Sequence, residues 1–151
     1  MAVWGEYTPT KWVMQQHAQS LADRHNIELF IDPKMNPMES SVSLRSSDQK
    51  MVVVIAGVWD EVTYAVALHE MGHIAAPRAA QLIELADAER RRDVHRFISI
   101  KREEEEMAWT WARVNAVQWT PMMQAVMDMG LQSYQYDAAH LLEMIRHKGW
   151  Q

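Results

Sequence analysis

The stretch MVVVIAGVWDEVTYAVALHEMGHIA, residues 51–75, predicts a strand that leads into a helix. The run of β-branched residues at its start is typical of a strand, and Gly57 ends that run. Asp60 has a side chain suited to cap a helix, and the apolar residues after it recur at helical spacing. We therefore expect this helix to pack against a small β-sheet.

The N-terminal part of the chain predicts one helix and one further strand. Residues 9–25 carry apolar side chains along one helical stripe, which is typical of a leading helix. Residues 27–31, IELFI, are short and rich in β-forming residues, and an Asp-Pro pair stops them. Residues 33–49 have the composition of a loop. Two strands, at residues 27–31 and 51–57, are therefore expected.

The C-terminal part predicts helices. The charged segment of residues 82–106 is most simply a solvent-exposed helix face or a loop. Residues 103–119 predict a helix, and two more are expected at residues 121–131, ended by Gly130, and at residues 136–149. The chain is thus predicted to be a mostly helical α+β protein.

The composition limits the chemistry that the chain can support. Its 151 residues fit a single domain over residues 1–151, and the absence of cysteine means that a metal would need His, Asp or Glu ligands. The net charge of −5 argues against nucleic acid as the main partner. There is no apolar run long enough for a membrane span and no secretory signal, so we expect a cytoplasmic protein without membrane contact. The oligomeric state is left open.

His69, Glu70 and His73 form the pattern His-Glu-x-x-His within the predicted helix. Residues four apart point the same way, so both imidazoles can bind one zinc ion, while Glu70 lies beside them and can take a proton from a water that zinc activates. This spacing arises by chance in roughly two or three per cent of shuffled chains. The histidines share an apolar stripe, however, and Gly72 allows another segment to approach closely. The pattern therefore predicts a zinc site with Glu70 as its base.

A catalytic zinc site usually has three protein ligands, so one more is needed. The extended motif of the metzincin proteases fails, because Ala76 and Ala79 stand where it requires glycine and histidine. Better candidates lie in EEEEMAWTWA, residues 103–112, since a helix that is partly apolar cannot keep four adjacent glutamates exposed. Glu104 or Glu105 could face inward, where a carboxylate needs a partner of opposite charge. Spacing alone leaves both open as the third ligand.

Together these two segments resemble the ImmA/IrrE-type zinc metallopeptidases, gluzincin-like members of the zincin superfamily. The family's second motif reads approximately Glu-x-x-Ala-Asn-x-aromatic-Ala, and residues 105–112 match it except at Trp109, where the family usually has asparagine. The resemblance covers roughly residues 9–118 and includes the order of elements. It implies a minimal zincin-like fold with Zn²⁺ as cofactor and Glu105 as the third ligand, Glu104 being the alternative.

The resemblance also implies an activity. A protein of this kind would be a zinc-dependent endopeptidase that hydrolyses peptide bonds of a specific intracellular protein, with Glu70 as general base, and such chains are frequent on phages. Tyr134, Tyr136 and His140 are candidate donors to the oxyanion of the transition state. The strand of residues 51–57 could bind an extended peptide along a sheet edge.

A second interpretation is a protein without catalytic activity. It would use a zincin scaffold to bind a partner protein and hold zinc structurally. Trp109 and the arginines at positions 90–92 leave room for this interpretation, whereas Glu70 argues against it, because a structural zinc has no use for a base. A SprT-like protease, which acts on DNA-bound proteins, is a further alternative. Those proteins carry a third histidine after the motif, however, and the net negative charge of this chain does not indicate a DNA-binding patch.

Overall fold

Five helices and three strands make up residues 9–147, the part of the chain that the computed structural model describes, apart from the side chains of residues 135–138. In chain order they are α1 (Lys11–Arg24), β1 (Ile27–Ile31), β2 (Ser40–Arg45), β3 (Lys50–Ile55), α2 (Glu61–Ala75), α3 (Ala79–Arg91), α4 (Val94–Asn115) and α5 (Pro121–His147). The prediction of a mostly helical α+β fold with a small sheet is confirmed. None of the described helices is both long and apolar enough to cross a membrane.

β3 lies at the centre of the sheet. β1 pairs with it in parallel on one side, and β2 pairs with it antiparallel on the other. The strand predicted from the β-branched run is confirmed, but the expectation that it offers a sheet edge to a peptide is wrong, because both of its edges are already hydrogen-bonded. Its central position also explains its apolar composition, with Val53 and Ile55 fully buried.

β2 lies within residues 33–49, for which the sequence predicted a loop, so that prediction is wrong. Its residues, SSVSLR, are mostly polar, and Ser40 and Val42 are half-buried while their neighbours are exposed. The strand is in register with β3 from the pair Ser40–Ile55 to the pair Arg45–Lys50. Backbone pairing with a distant segment stabilises this strand, and its mostly polar composition conceals the alternation of serines with apolar residues.

α2 is the central helix of the core. It begins after Asp60, whose side chain accepts a hydrogen bond of 2.8 Å from the Thr63 N–H, as the predicted cap requires. Its fully buried side chains pack with residues of α1, β1, β3, α4 and α5; the largest of them are Tyr64, Leu68 and Met71. Because neighbouring elements enclose α2, they hold the backbone of its last turns, and the side chains on these turns, in a fixed position.

α3 and α4 occupy the charged region for which the sequence predicted an exposed helix face or loop, with a helix only from residue 103. Arg92 adopts a left-handed φ of 56° between the two helices, and Asp93 caps α4 by accepting the Arg96 N–H at 3.1 Å. α4 begins earlier than predicted because Ile100 packs with Leu85 in a small apolar cluster between the two helices.

α5 is one continuous helix, where the sequence predicted two helices separated at Gly130. That separation is wrong. A Cβ atom at Gly130 would lie 2.8 Å from Cζ2 of Trp109, so this glycine lets α5 pass close to an indole ring and does not end the helix.

Candidate metal centre

α2 carries His69 and His73 on one face, one turn apart. Their Nε2 atoms lie 3.1 Å from each other, and their side chains are 15% and 23% exposed. The two rings therefore point at one place at the border between core and solvent, as their spacing predicts.

α4 brings Glu105 to the two histidines. Its Oε1 lies 2.7 Å from His69 Nε2, and its Oε2 lies 3.0 Å from His73 Nε2. Among the residues that the structure describes, these three form the group of His, Asp or Glu side chains whose ligand atoms come within 4.8 Å of one another. The arrangement is what three protein ligands of one metal ion require.

The separations of the ligand atoms suit zinc. Bonds of about 2.0–2.1 Å in a tetrahedron hold neighbouring ligand atoms about 3.3 Å apart. Here the two Nε2 atoms are 3.1 Å apart, and each lies 2.7 or 3.0 Å from a different oxygen of Glu105. Side-chain movements of a few tenths of an ångström would match the two sets. Two imidazole nitrogens and one carboxylate are also a donor set that zinc commonly takes at catalytic sites.

Glu105 is electrostatically coupled to both rings. Burial raises the pKa of Glu105, but its hydrogen bonds with His69 and His73 outweigh that effect and lower it to about 2. For His73, burial lowers the pKa, whereas the hydrogen bond and the charge of Glu105 turn the net shift upward. The carboxylate is therefore ionised at neutral pH, which is the form that binds a metal.

Gly72 sets the distance between α2 and α4. A Cβ atom at this position would lie 2.4 Å from the carbonyl oxygen of Ala108 and 3.1 Å from its carbonyl carbon, where ordinary contacts begin at 3.4 Å. The predicted close approach of another segment at Gly72 is thus confirmed. It allows the carboxylate of Glu105 on α4 to reach the histidines of α2.

Trp109 supports one of the histidines. Its ring stacks on the ring of His69 with a centroid distance of 4.0 Å and an interplanar angle of 10°, and its side chain is only 3% exposed. The position at which the chain departs from the family motif therefore packs against a candidate metal ligand. Within the described residues the buried Nε1 of Trp109 has no hydrogen-bond partner, so stacking and burial offset a cost of about 1–3 kcal/mol.

Glu70 lies beside the histidines and accepts a short hydrogen bond from Ser40 Oγ. Ser40 is the first residue of β2, and its side chain therefore links the sheet to the motif helix. Sequence reasoning missed Ser40 because residues 33–49 were predicted to be a loop. The alternation of serines with apolar residues in SSVSLR was the signal that could have indicated a strand.

Glu104, the alternative third ligand, has different neighbours. Its side chain is 6% exposed, and its carboxylate oxygens lie 3.7 Å from Arg78 Nη1 and 3.7 Å from Lys101 Nζ. Thus the structure brings Glu105, and not Glu104, within hydrogen-bond distance of the histidines. Arg78 comes from the connection between α2 and α3, and no feature of the sequence motifs indicated its approach to Glu104.

Two cavities meet at Glu105 and Tyr134. One, of about 300 Å³, we call the basic cleft; it is lined by Val42, Glu70, His73, Arg78, Lys101, Glu104, Glu105 and Tyr134. The other, of about 380 Å³, we call the methionine groove; it is lined by Met38, Glu105, Met129, Gly130, Ser133 and Tyr134. A cavity of about 490 Å³ on another face of α4 contains none of the three metal-site residues.

The predicted oxyanion donors are placed differently from one another. Tyr134 borders both cavities, so the structure brings it to the neighbourhood of Glu70 and Glu105. His140 is exposed further along α5, and it is not among the described lining residues of either cavity. The side chain of Tyr136 lies outside the described residues.

Comparison with known proteins adds no relative to these observations. No family model matches the chain, and neither a curated protein nor a solved structure matches it at a significant level. The resemblance to the ImmA/IrrE-type metallopeptidases therefore stays a prediction from the two motifs, and any function has to be argued from the site itself.

Proposed function

We propose that this protein is a zinc-dependent endopeptidase of the zincin type, similar to the ImmA/IrrE family, which cuts a specific protein partner. The observation that carries the proposal is the convergence of His69, His73 and Glu105, from two helices, beside the carboxylate of Glu70. Two histidines and a glutamate would hold the metal, and a base within reach of the same cleft is what hydrolysis needs.

His69, His73 and Glu105 would hold the zinc ion, which would supply Lewis acidity and a water molecule of lowered pKa. Glu70 would accept a proton from that water and pass it to the leaving amine. Ser40 keeps the Glu70 carboxylate in place by donating a hydrogen bond to it, and Trp109 keeps the ring of His69 in its plane. Tyr134 lines the same cleft as Glu70 and Glu105, and it would donate to the oxyanion.

The partner peptide docks along β2 and not along β3. Within the described sheet β2 pairs only with β3, so its other edge is available for another strand. Ser40 at the start of β2 contacts Glu70, and Val42 lines the basic cleft. A peptide added to this edge would therefore run past the base and the metal ligands.

The open cleft favours an enzyme over a protein that only binds a partner. In a purely structural site the protein's own groups would close the fourth coordination position. Here His73 and Glu105 border a cleft of about 300 Å³, and Glu70 lines the same cleft. Both features support hydrolysis, since a structural zinc requires neither of them.

Metal binding is tested first, by elemental analysis and by competition with a chromophoric chelator. We expect one zinc ion per chain, and Glu105→Ala should weaken zinc binding by more than about a hundredfold. Glu104→Ala is the matched control on the adjacent position, and it should change zinc affinity far less. A larger effect of Glu104→Ala would move the third ligand to that residue.

Hydrolysis is tested by incubating the zinc-loaded protein with a mixture of cellular proteins and identifying new amino termini by mass spectrometry. Glu70→Gln should keep its zinc and lose activity by roughly a hundredfold or more. Equal cleavage by the wild-type protein and Glu70→Gln would refute the proposed mechanism. A fully zinc-loaded wild-type protein that produces no new termini would instead favour the binding protein.

A further inference from the structure

Two cations border the basic cleft on the side of Glu104. Arg78 and Lys101 line the cleft together with Glu70, His73 and Glu105, and their side chains are 30% and 41% exposed. Their charged groups come from different elements, since one lies between α2 and α3 and the other lies on α4. The fold therefore gathers two positive charges beside the metal-site residues.

Glu104 is the described carboxylate that lies within ion-pair distance of both cations. It is 6% exposed, and both of its ion-pair contacts are 3.7 Å long, beyond the range of about 2.7–2.9 Å for a charge-assisted hydrogen bond. Its buried Oε1 has no hydrogen-bond partner among the described residues. The N–H groups of Arg78 and Lys101 are thus close enough to stabilise Glu104, yet they do not donate to it.

The neighbouring residue Arg102 shows the alternative, an ion pair within one helix. It is 53% exposed and donates a hydrogen bond of 3.3 Å to Glu106 on the next helical turn. In the described part of the chain, neither Arg78 nor Lys101 donates such a bond to a carboxylate. Their donors are therefore available to a group that enters the cleft.

We propose that Arg78 and Lys101 form a carboxylate-binding subsite, so that the peptide held in the basic cleft carries a carboxylate beside the bond to be cut; this substrate class rests on the proposed function. A carboxylate there accepts the hydrogen bonds that neither cation donates to Glu104. It can be the side chain of Asp or Glu, or the C-terminal carboxylate of the peptide. In a partly desolvated cleft such a pair is stronger than on an open surface.

The methionine groove offers apolar contacts to the part of the substrate on the other side of the bond to be cut. The apolar side chains of Met38 and Met129 are 48% and 60% exposed in this groove. The groove meets the basic cleft at Glu105 and Tyr134. Flexible methionine side chains accommodate apolar groups of varied shape. The substrate is therefore a peptide with a carboxylate on one side of the cut and an apolar side chain on the other.

The test uses pools of short random peptides, in which Asp and Glu are either present or replaced by Asn and Gln, each with free and with amidated C-termini. Cleavage by the zinc-loaded wild-type protein is read by mass spectrometry, and capture is read on immobilised Glu70→Gln. We expect acidic peptides to be cut and captured about tenfold better than their amide counterparts. Loss of the preference on amidation assigns the C-terminal carboxylate, and its persistence assigns an acidic side chain.

Variants locate the preference. Arg78→Ala and Lys101→Ala should each reduce the ratio of acid to amide peptides toward one, and Glu104→Gln should increase it by removing the competing carboxylate. Where Arg78→Ala fails to fold because Glu104 loses its partner, Glu104→Gln is added to the same chain. Arg102→Ala is the matched control and should leave the ratio unchanged.

The outcomes separate this proposal from the function on which it rests. Cleavage without acidic preference overturns the subsite and leaves the peptidase standing. Capture of acidic peptides that depends on Arg78, without cleavage, supports the subsite, and the search for new amino termini in cellular proteins then decides the peptidase. Neither cleavage nor capture overturns the subsite and leaves the peptidase to that same search. An acidic preference that survives in Arg78→Ala and in Lys101→Ala overturns the assignment of these two residues.

Discussion

Replacing Gly72 by alanine tests whether the contact between α2 and α4 determines the geometry of the proposed metal centre. The added Cβ atom would lie 2.4 Å from the carbonyl oxygen of Ala108, and ordinary contact begins at 3.4 Å. The atom that it meets belongs to a helix backbone, so it cannot move aside as a flexible side chain would. The two helices must therefore separate by about 1 Å at this point.

Two opposing effects determine the stability of Gly72→Ala. Alanine in a helix interior is favoured over glycine by about 0.5–1 kcal/mol, because the unfolded chain loses less entropy. Overpacking in a rigid core costs about 1–3 kcal/mol, so the net change in the free energy of unfolding should be a loss of about 1–2 kcal/mol. Metal ligands tolerate deviations of only about 0.2 Å, so a separation of this size should lower zinc affinity by at least about tenfold.

Urea denaturation of the metal-free protein measures the first quantity, and chelator competition measures the second. Ala86→Gly is the matched control, because Ala86 is exposed in the middle of α3 and the change there reports the intrinsic helix effect alone. That variant should lose stability while its zinc affinity stays unchanged. If Gly72→Ala is more stable than the wild-type protein and binds zinc equally well, the helices are not in the contact described and the reasoning fails.

Three further predictions concern Ser40 and Tyr64. Ser40→Ala removes the hydrogen bond to Glu70, so kcat/KM for peptide hydrolysis should fall about tenfold while the zinc content stays unchanged. Hydrolysis at the wild-type rate would show that Ser40 does not position the base. In the wild-type protein the Val117 N–H donates a hydrogen bond of 2.9 Å to the phenol oxygen of Tyr64, and Tyr64→Phe leaves this N–H unpaired. Urea denaturation at neutral pH should therefore show a loss of about 1–3 kcal/mol in the free energy of unfolding. An unchanged denaturation midpoint would contradict this role of Tyr64. Burial raises the pKa of Tyr64 from 10.0 to about 12, so as the pH rises the phenol deprotonates first in the unfolded chain. The wild-type protein should therefore lose stability as the pH rises from 10 toward 12. Tyr64→Phe should lack this part of the loss.

The sequence predicted the elements whose signals are local. The β-branched run of β3, the cap at Asp60 and the helical spacing of the two histidines all depend on residues within a few positions of one another. β2 was missed because its strand conformation depends on pairing with β3, and the break predicted at Gly130 was wrong because that glycine is required by a ring on another helix. Contacts between distant segments determine both the strand β2 and the continuity of α5 at Gly130. Such contacts cannot be inferred from the residues of one segment alone.

The choice between Glu104 and Glu105 could not be made from spacing because adjacent helix positions differ by about 100° and both faces of α4 are partly buried. In the structure, Glu105, Ala108 and Trp109 share the stripe of α4 that faces α2, where they meet the histidine pair, Gly72 and the ring of His69 respectively. Glu104 is rotated away from this stripe toward two cations. The rotation of α4 about its axis is thus fixed by contacts at three levels along the stripe, which is why a single carboxylate is presented to the histidines. A substitution at any of these levels should disturb metal binding even where it touches none of the ligands.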